Sequence, residues 1–486
     1  MPLTFGDLLL DSAGRYPNKK AIIEGSKSLT YRELLLEVTK CQHELLSKNK
    51  TIIAIFLPNS IEYVISFFSA SMLGAIIMPV YWKLSSHDVN IILNKAGVEL
   101  IITNTLGKEK INNNAFKYHL IHSVKNSTDT ATLKLINKEK TNTSLILQTS
   151  GTTSTPKFVG HSFSSIVSNL KAHIKSLNLC NKDTVLIVLP MPFGYCNTSQ
   201  FLAHIYLGST LVIYDRKMAD PRYLLKLIEK NEVSTFTAVP TLLKSFTLLR
   251  EDIFQNFNLS SLKYICFGGG AVSSEIITAI KKRFNQTKLV QTYGQTEAGP
   301  RITTKFIEND YDMTNVGKPL EGVSIKIIAQ NKKLKVNEVG EVYIKSKSLM
   351  NGYFRDPEST KRVLSNGLLK NGDLGYLDQN HELHIVGRVN NTIKVNGIRV
   401  SPEEIEEILK GEFNQIKEMI VKGEKHPLYG EIPVAFIVPI EFDSAETLIQ
   451  KIMEFCNNHL SSYKIPRKIN IVEEIQKTAT GKLKRS

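Results

Sequence analysis

Short apolar runs alternate with stretches of helical periodicity over the first 385 residues, and this alternation restricts the chain to a small set of folds. The runs at 51–57, 75–80, 99–102, 184–189, 210–214, 235–238, 264–267 and 288–291 read as strands. Between them, 61–73, 85–95, 162–176, 221–231 and 273–284 carry apolar residues at helical spacing, the first behind Asn59 or Ser60 as N-cap. Strand, helix and strand at this spacing form βαβ units, with parallel sheets and helices on their faces. Residues 320–386 break the pattern. The runs at 324–328, 340–345 and 382–386 alternate apolar and polar positions, as antiparallel strands do. The weakest boundary is at Arg388-Val389-Asn390-Asn391. Beyond it 392–395, 402–409, 434–438, 445–460 and 468–472 read β, α, β, α, β. The predicted division is a large α/β part, 1–388, and a small α+β domain, 389–486.

Composition narrows the function classes. At 42% hydrophobic and 22% charged, the chain is that of an ordinary globular protein able to bury several cores. No apolar run reaches ~18 residues, so no membrane span is expected. Residues Met1 to Asp7 lack the basic stretch and cleavage site of a secretory signal. The five cysteines, at 41, 180, 196, 266 and 456, form neither a CxxC nor a Cys/His cluster. Their scatter argues against structural zinc and a disulfide framework and fits a reducing cytoplasm. The net charge is +15, yet from Val389 onward 14 Lys/Arg balance 14 Asp/Glu, so the excess lies before that point. The lysines are dispersed without aromatic interleaving, which argues against nucleic acid as a partner. A solvated surface accounts for most of the charge. Part of it suits a polyphosphate nucleotide and an acidic thiol carrier.

The apolar run 145–147 leads into Thr149-Ser150-Gly151-Thr152-Thr153-Ser154-Thr155-Pro156-Lys157. A chain leaving a strand into such a loop offers backbone N–H groups, hydroxyls and one cation to a polyanion, and a triphosphate fits best. It is not a Walker A loop, which needs a second glycine directly before Lys-Ser/Thr. Gly268-Gly269-Gly270-Ala271 follows a predicted strand and lets backbone approach a flat ligand. Four further motifs stand downstream. They are Tyr293-Gly294-Gln295-Thr296-Glu297; Asn371-Gly372-Asp373, which opens a predicted hairpin closing on Gly387-Arg388; the run from Ile393 to Val400, which leads into a helix at Ser401-Pro402-Glu403-Glu404; and Thr478-Ala479-Thr480-Gly481-Lys482.

In this order and spacing the motifs resemble those of the adenylate-forming superfamily: acyl- and aryl-CoA synthetases, free-standing adenylation domains and luciferases. The resemblance runs from about residue 5 to the end. It implies a large N-terminal domain of parallel and mixed sheets flanked by helices, with a distorted antiparallel β-barrel subdomain, and a small mobile α+β C-terminal domain. It implies an ATP-dependent reaction. A carboxylate displaces pyrophosphate to give an acyl-adenylate, and a thiol then displaces AMP. ATP, Mg²⁺ and coenzyme A follow as cofactors, with a phosphopantetheinyl carrier protein as the alternative acceptor.

By the same resemblance Thr149, Ser150, Gly151, Thr152, Thr153 and Lys157 hold the β- and γ-phosphates. Gly269, Gly270 and Ala271 line the adenine, and Tyr293 stacks on it beside Gly294. Thr296 bonds the α-phosphate and Glu297 holds the metal. Asp373 and Arg388 reach the ribose. Lys482 bridges the carboxylate and the α-phosphate during adenylation. Asn390 stands at the hinge, where the family usually has Asp or Lys. Gly397 and Arg399 face the thiol tunnel. Phe193, Gly194, Tyr195, Asn197, Gly268 and Thr292 fall in the acid pocket.

Several positions depart from the family pattern: Ser154 and Thr292 replace glycines, and Val272 and Gln476 replace prolines. The residue after Phe193 is Gly194, where amino-acid-activating members carry aspartate, so an α-amino acid is disfavoured. Phe193-Gly194-Tyr195 and the bulk of Thr292 favour a compact, aromatic or short-chain acid. A catalytically inactive nucleotide-binding or scaffold protein is the rival from another class, and the presence of Lys482, Glu297 and Asp373 argues against it.

Overall fold

The computed structural model describes the chain except for residues 1–3, 47–50, 122–141, 150–156, 217, 309, 331, 392, 396–397, 427–428, 441–443, 461, 463, 478–482 and 485–486. Two compact units emerge. The first comprises Met1–Thr149, Pro156–Ser324 and Ile344–Leu369, and the second contains Ile325–Tyr343 and Lys370–Ser486. Residues 325–343 and 370–388, placed before the boundary by sequence, thus cluster with the C-terminal segment.

The first unit is built on two sheets. One runs Gly352–Tyr353, Phe158–His161, Leu145–Gln148, Ile76–Pro79, Ile52–Phe56, Leu100–Thr103, Lys117–Leu120, parallel from Leu145–Gln148 onward. The other runs Asn315–Pro319, Thr303–Phe306, Lys288–Tyr293, Tyr264–Gly268, Thr235–Ala238, Thr184–Ile187, Thr210–Ile213, Lys20–Glu24, Lys27–Thr30, parallel except at its two ends. The period of two along each strand divides its side chains between cores. Ile53 and Ile55 join Ile187 and Leu211 in a core between the sheets, while Ile52, Ala54 and Phe56 pack on the far side of the first sheet. Leu186, Val212, Phe236 and Phe267 pack on the far side of the second. Strands apolar on both faces are those of buried parallel sheets.

The central core also holds the helix Ile61–Met72, buried at every residue but Glu62. A helix apolar all round is one covered on all sides. Ser60 supplies its cap, the hydroxyl accepting from the Tyr63 N–H at 3.1 Å. Asn59, the other predicted cap, instead donates to the Leu189 carbonyl and accepts from the Met191 N–H, at 2.8 and 2.9 Å. The predicted strands and helices of this unit all appear, with ends shifted by at most two residues. The alternation assigns nothing before residue 51, where the structure has helices Phe5–Arg15 and Tyr31–Leu46.

In the second unit, Leu368–Leu377 pairs antiparallel with Leu383–Arg388, and Val323–Ala329 with Lys332–Lys333, as the alternating pattern predicts. The C-terminal part is a sheet ordered Ile398–Val400, Ile393–Val395, Gly430–Pro439, Ile416–His426, with Lys468–Ile471 parallel to Gly430–Pro439. The helices Pro402–Glu412 and Ala445–His459 bury Ile405, Leu409, Leu448 and Ile452 against it. The eleven-residue strand Ile416–His426 has no counterpart in the predicted β, α, β, α, β order. Among the described residues no helix is long and apolar enough to cross a membrane.

Candidate active site

The hydroxyl-rich loop closes a hairpin. Leu145–Gln148 and Phe158–His161 are antiparallel, from Leu145 opposite His161 to Gln148 opposite Phe158. The Thr149 N–H donates to the Lys157 carbonyl at 3.1 Å, so the ladder extends to the two ends of the loop. Its interior, with Ser150, Gly151, Thr152 and Thr153, lies outside the described residues.

The two-residue strand Gly352–Tyr353 adds to the other edge of Phe158–His161, with Tyr353 opposite Val159. This brings Tyr353 between two predicted site residues. The Lys157 ammonium lies 4.6 Å from the centroid of its ring, and its hydroxyl donates to Glu297 Oε1 at 2.9 Å. Burial, then the neighbouring Glu297 charge, holds the Tyr353 phenol well above its usual range, so it stays a donor. Glu297 is buried and has no ion pair among the described residues. A buried carboxylate that accepts from a neutral hydroxyl and has no ion pair among the described residues suits a hard cation such as Mg²⁺.

The Thr296–Ala298 turn is anchored from below. His161 Nε2 lies 2.8 Å from the Thr296 carbonyl. A carbonyl only accepts, so Nε2 carries the proton and Nδ1 faces the Ser165 hydroxyl at 3.3 Å. Burial pushes the His161 pKa down to about 4 and keeps the ring neutral. Gly294 is required at the strand end, because a Cβ there would stand 1.7 Å from the Pro300 carbonyl oxygen.

Tyr264–Gly268 and Lys288–Tyr293 are parallel neighbours, with Gly268 opposite Thr292. Gly269, Gly270 and Ala271, all exposed, and the half-buried Tyr293 therefore leave the sheet side by side at the carboxyl ends of the strands. That edge is where open α/β sheets bind ligands. Gly268 also needs its bare Cα, since a Cβ would meet the Thr292 carbonyl at 2.3 Å and the Tyr195 hydroxyl at 3.3 Å. Thr292 Oγ1 donates to the Phe267 carbonyl at 3.0 Å and accepts from the Tyr195 hydroxyl. Phe193 stacks obliquely on Tyr81 at 5.0 Å. Gly194 is buried against Leu147 and Pro300. Asn197 is fully buried, its amide donating to the Met191 carbonyl at 3.3 Å, so it shapes this turn from within.

In the second unit Asp373 and Arg388 face one another across the predicted hairpin. Arg388 Nε donates to Asp373 Oδ1 at 2.6 Å, and Asn371 Nδ2 to Oδ2 at 3.2 Å. Asp373 is buried and Arg388 half-exposed. Asn390 falls in the turn Val389–Asn391 and Arg399 in the strand Ile398–Val400 opposite Lys394; the side chains of Asn390 and Arg399 lie outside the described residues. Gly397 and Lys482 lie outside them entirely.

Three site neighbours escape motif reading: His161 and Tyr353, brought in on the paired strands Phe158–His161 and Gly352–Tyr353, and Arg301, whose guanidinium lies against His173 and Thr304. Each is a single residue outside any motif run.

The sequence pattern of the AMP-binding enzyme family matches residues 9–354, and that of the AMP-binding enzyme C-terminal domain matches residues 404–482. The 4-coumarate-CoA ligase 1 of Narcissus pseudonarcissus is 28% identical over 97% of this chain and 90% of its own length. The 2-succinylbenzoate–CoA ligase of Bacillus licheniformis is 28% identical over 96% of both chains. Among solved structures, O-succinylbenzoate coenzyme A synthetase from Bacillus subtilis, in complex with ATP and magnesium ion, superposes with a TM-score of 0.87 at 26% identity, covering 98% of both chains. The same enzyme with its acyl-adenylate intermediate gives 0.86 at 26%, over 98% of this chain and 96% of that one. The chain belongs to the AMP-binding enzyme family.

Proposed function

We propose that this chain is an ATP-dependent acid–CoA ligase. A carboxylate oxygen attacks the α-phosphate of ATP and the bond to pyrophosphate breaks. The thiol of coenzyme A then attacks the acyl carbon, and AMP leaves. The observation that carries this reading is the buried Glu297, fixed by Tyr353 and without an ion pair among the described residues, directly beside the hairpin that presents the Thr149–Lys157 loop. Relatives matched over nearly the whole chain carry acid–CoA ligase names.

Each motif then has a task. The 149–157 loop takes the β- and γ-phosphates with backbone N–H groups, hydroxyls and the Lys157 charge. Gly269, Gly270, Ala271 and Tyr293 take the purine, and Thr296 the α-phosphate. Asp373 and Arg388 take the ribose hydroxyls. Glu297 would hold Mg²⁺, which supplies charge neutralisation to the triphosphate. Lys482 neutralises the two anions that must meet, a contact worth most in the transition state. Asn390 serves as hinge for residues 389–486, and Gly397 and Arg399 line the thiol passage. The Tyr195–Thr292 pair walls a pocket for a compact acid, and no aspartate stands ready for an α-ammonium. The five cysteines, none of them in a disulfide, suit a cytoplasmic working place.

The test is pyrophosphate release from ATP with a panel of benzoates, cinnamates, C2–C18 fatty acids and amino acids, each with and without coenzyme A. Release with an acid, followed by thioester only when coenzyme A is present, is the expected result. Adenylate that accumulates and ignores coenzyme A points to a carrier-protein thiol instead. No release with any acid overturns the ligase reading.

A further inference from the structure

Arg301, 1% exposed, is the largest fully buried side chain among the described residues and has no carboxylate partner among them. Its guanidinium donates to two neutral groups, His173 Nδ1 at 2.9 Å and Thr304 Oγ1 at 2.7 Å. Its buried Nε has no hydrogen-bond partner among the described residues. His173 accepts at Nδ1, so its proton sits on Nε2 and it brings no negative charge. A guanidinium in such a place is costly unless an anion joins it.

The strand register shows which face of the sheet the guanidinium shares. Thr304 is directly opposite Thr292 in the antiparallel pair Lys288–Tyr293 and Thr303–Phe306. Directly opposed residues share a sheet face with their side chains in reach of one another. Gly268 lies beside Thr292 on the next strand, on the same face, and contributes no side chain. Arg301 thus reaches the same face as Thr292 and Tyr195, the two residues that close over Gly268. This face is the predicted acid pocket.

We propose that Arg301, seated on His173 and Thr304, is the specificity residue of this pocket, and that the acid it activates carries a second carboxylate. The proposal rests on the acid–CoA ligase reading. One carboxylate is activated at the α-phosphate, and the other pairs with the guanidinium at the closed end of the pocket. Arginine matches a planar carboxylate with two parallel N–H donors, which gives orientation as well as attraction. A methyl group in that position would leave the buried charge alone, so the matching monoacid is discriminated against.

The experiment compares acids that differ only by a carboxylate at the far end. The pairs are butanoate with succinate, 3-methylbenzoate with isophthalate, and 4-phenylbutanoate with 4-(2-carboxyphenyl)butanoate. The readout is kcat/KM for pyrophosphate release by the full-length enzyme with ATP, Mg²⁺ and coenzyme A. In at least one pair the diacid exceeds the monoacid by on the order of 100-fold, and Arg301→Met collapses that ratio to near or below one. The wild-type ratio is readable even if the variant misfolds. Equal or better use of the monoacid in every pair, or an unchanged ratio in Arg301→Met, overturns the assignment of Arg301 while the ligase reading stands. No release with any acid overturns the ligase reading itself, and this proposal with it.

Discussion

Tyr353 donates its hydroxyl to Glu297 Oε1 at 2.9 Å. The two residues come from distant parts of the chain and meet because Gly352–Tyr353 pairs with the strand that follows the phosphate-type loop. Lys157, the last residue of that loop, lies against the other side of the same contact, over the Tyr353 ring. One tyrosine therefore couples a candidate metal ligand to a candidate phosphate ligand. Neither motif alone contains it.

Tyr353→Phe keeps the ring under Lys157 and removes only the donor to Glu297. A hydrogen bond to a charged group is worth about 1.5–3 kcal/mol when its loss leaves a buried partner unpaired. ATP–pyrophosphate exchange is expected to fall roughly 10- to 100-fold, with the half-saturating Mg²⁺ concentration raised. An unchanged Mg²⁺ dependence contradicts the role given to this contact.

Three buried histidines make the fold acid-sensitive. Burial pushes His161 and His204 down to about 4 and His173 well below its usual value, the last also against the Arg301 charge. In the unfolded chain each titrates near 6.5. Between about pH 6.5 and 4 the unfolded state binds more protons than the folded state, so stability rises with pH through that window and is lost as pH falls. His161 and His204 each account for up to about 3 kcal/mol of that change. The unfolding temperature should drop steeply from pH 7 to 4, and less steeply in His204→Gln. A flat profile over this range contradicts the neutral buried state of these rings.

Asp373 sits almost fully buried with Arg388 Nε on one oxygen and Asn371 on the other. Asp373→Asn keeps the shape and removes the charge. Loss of a charge-assisted hydrogen bond to the ribose is expected to raise KM for ATP by roughly 10- to 100-fold, with a smaller effect on kcat. Steady-state kinetics at saturating acid checks this, and an unaltered KM for ATP removes Asp373 from the nucleotide site.

The two half-reactions should separate by mutation. Lys482→Ala is expected to slow adenylate formation by roughly 10²–10³ while ATP binding persists, as for a charge contact made mainly in the transition state. Gly397→Leu is expected to slow thioester formation and spare pyrophosphate exchange. Equal loss of both steps in Gly397→Leu, with its unfolding temperature intact, contradicts a separate thiol passage.

The sheet framework was legible because its strands are apolar on both faces and bounded by helices with clear caps, as at Ser60 before Ile61–Met72. Helices Phe5–Arg15 and Tyr31–Leu46 were less legible, being amphipathic stretches outside the strand–helix alternation. The strand Ile416–His426 has no sequence signature because its far half, Lys422 to His426, is charged and polar. It is extended there only because Gly430–Pro439 pairs with it. The motifs named the loop, Tyr293, Glu297, Asp373 and Arg388, since each sits in a local run. Tyr353 and His161 are placed by sheet register, and Arg301 by its contacts with His173 and Thr304, none of which a motif encodes. Asn197 falls inside the pocket motif but is turned into the core.

The central claim is that a carboxylate oxygen attacks the α-phosphate of ATP. It is tested by turning over a substrate acid labelled with ¹⁸O in its carboxylate, with coenzyme A present, and analysing the products by mass spectrometry. One ¹⁸O atom in AMP, with unlabelled pyrophosphate, is the result expected. Unlabelled AMP, or label recovered in inorganic phosphate alongside ADP, contradicts it.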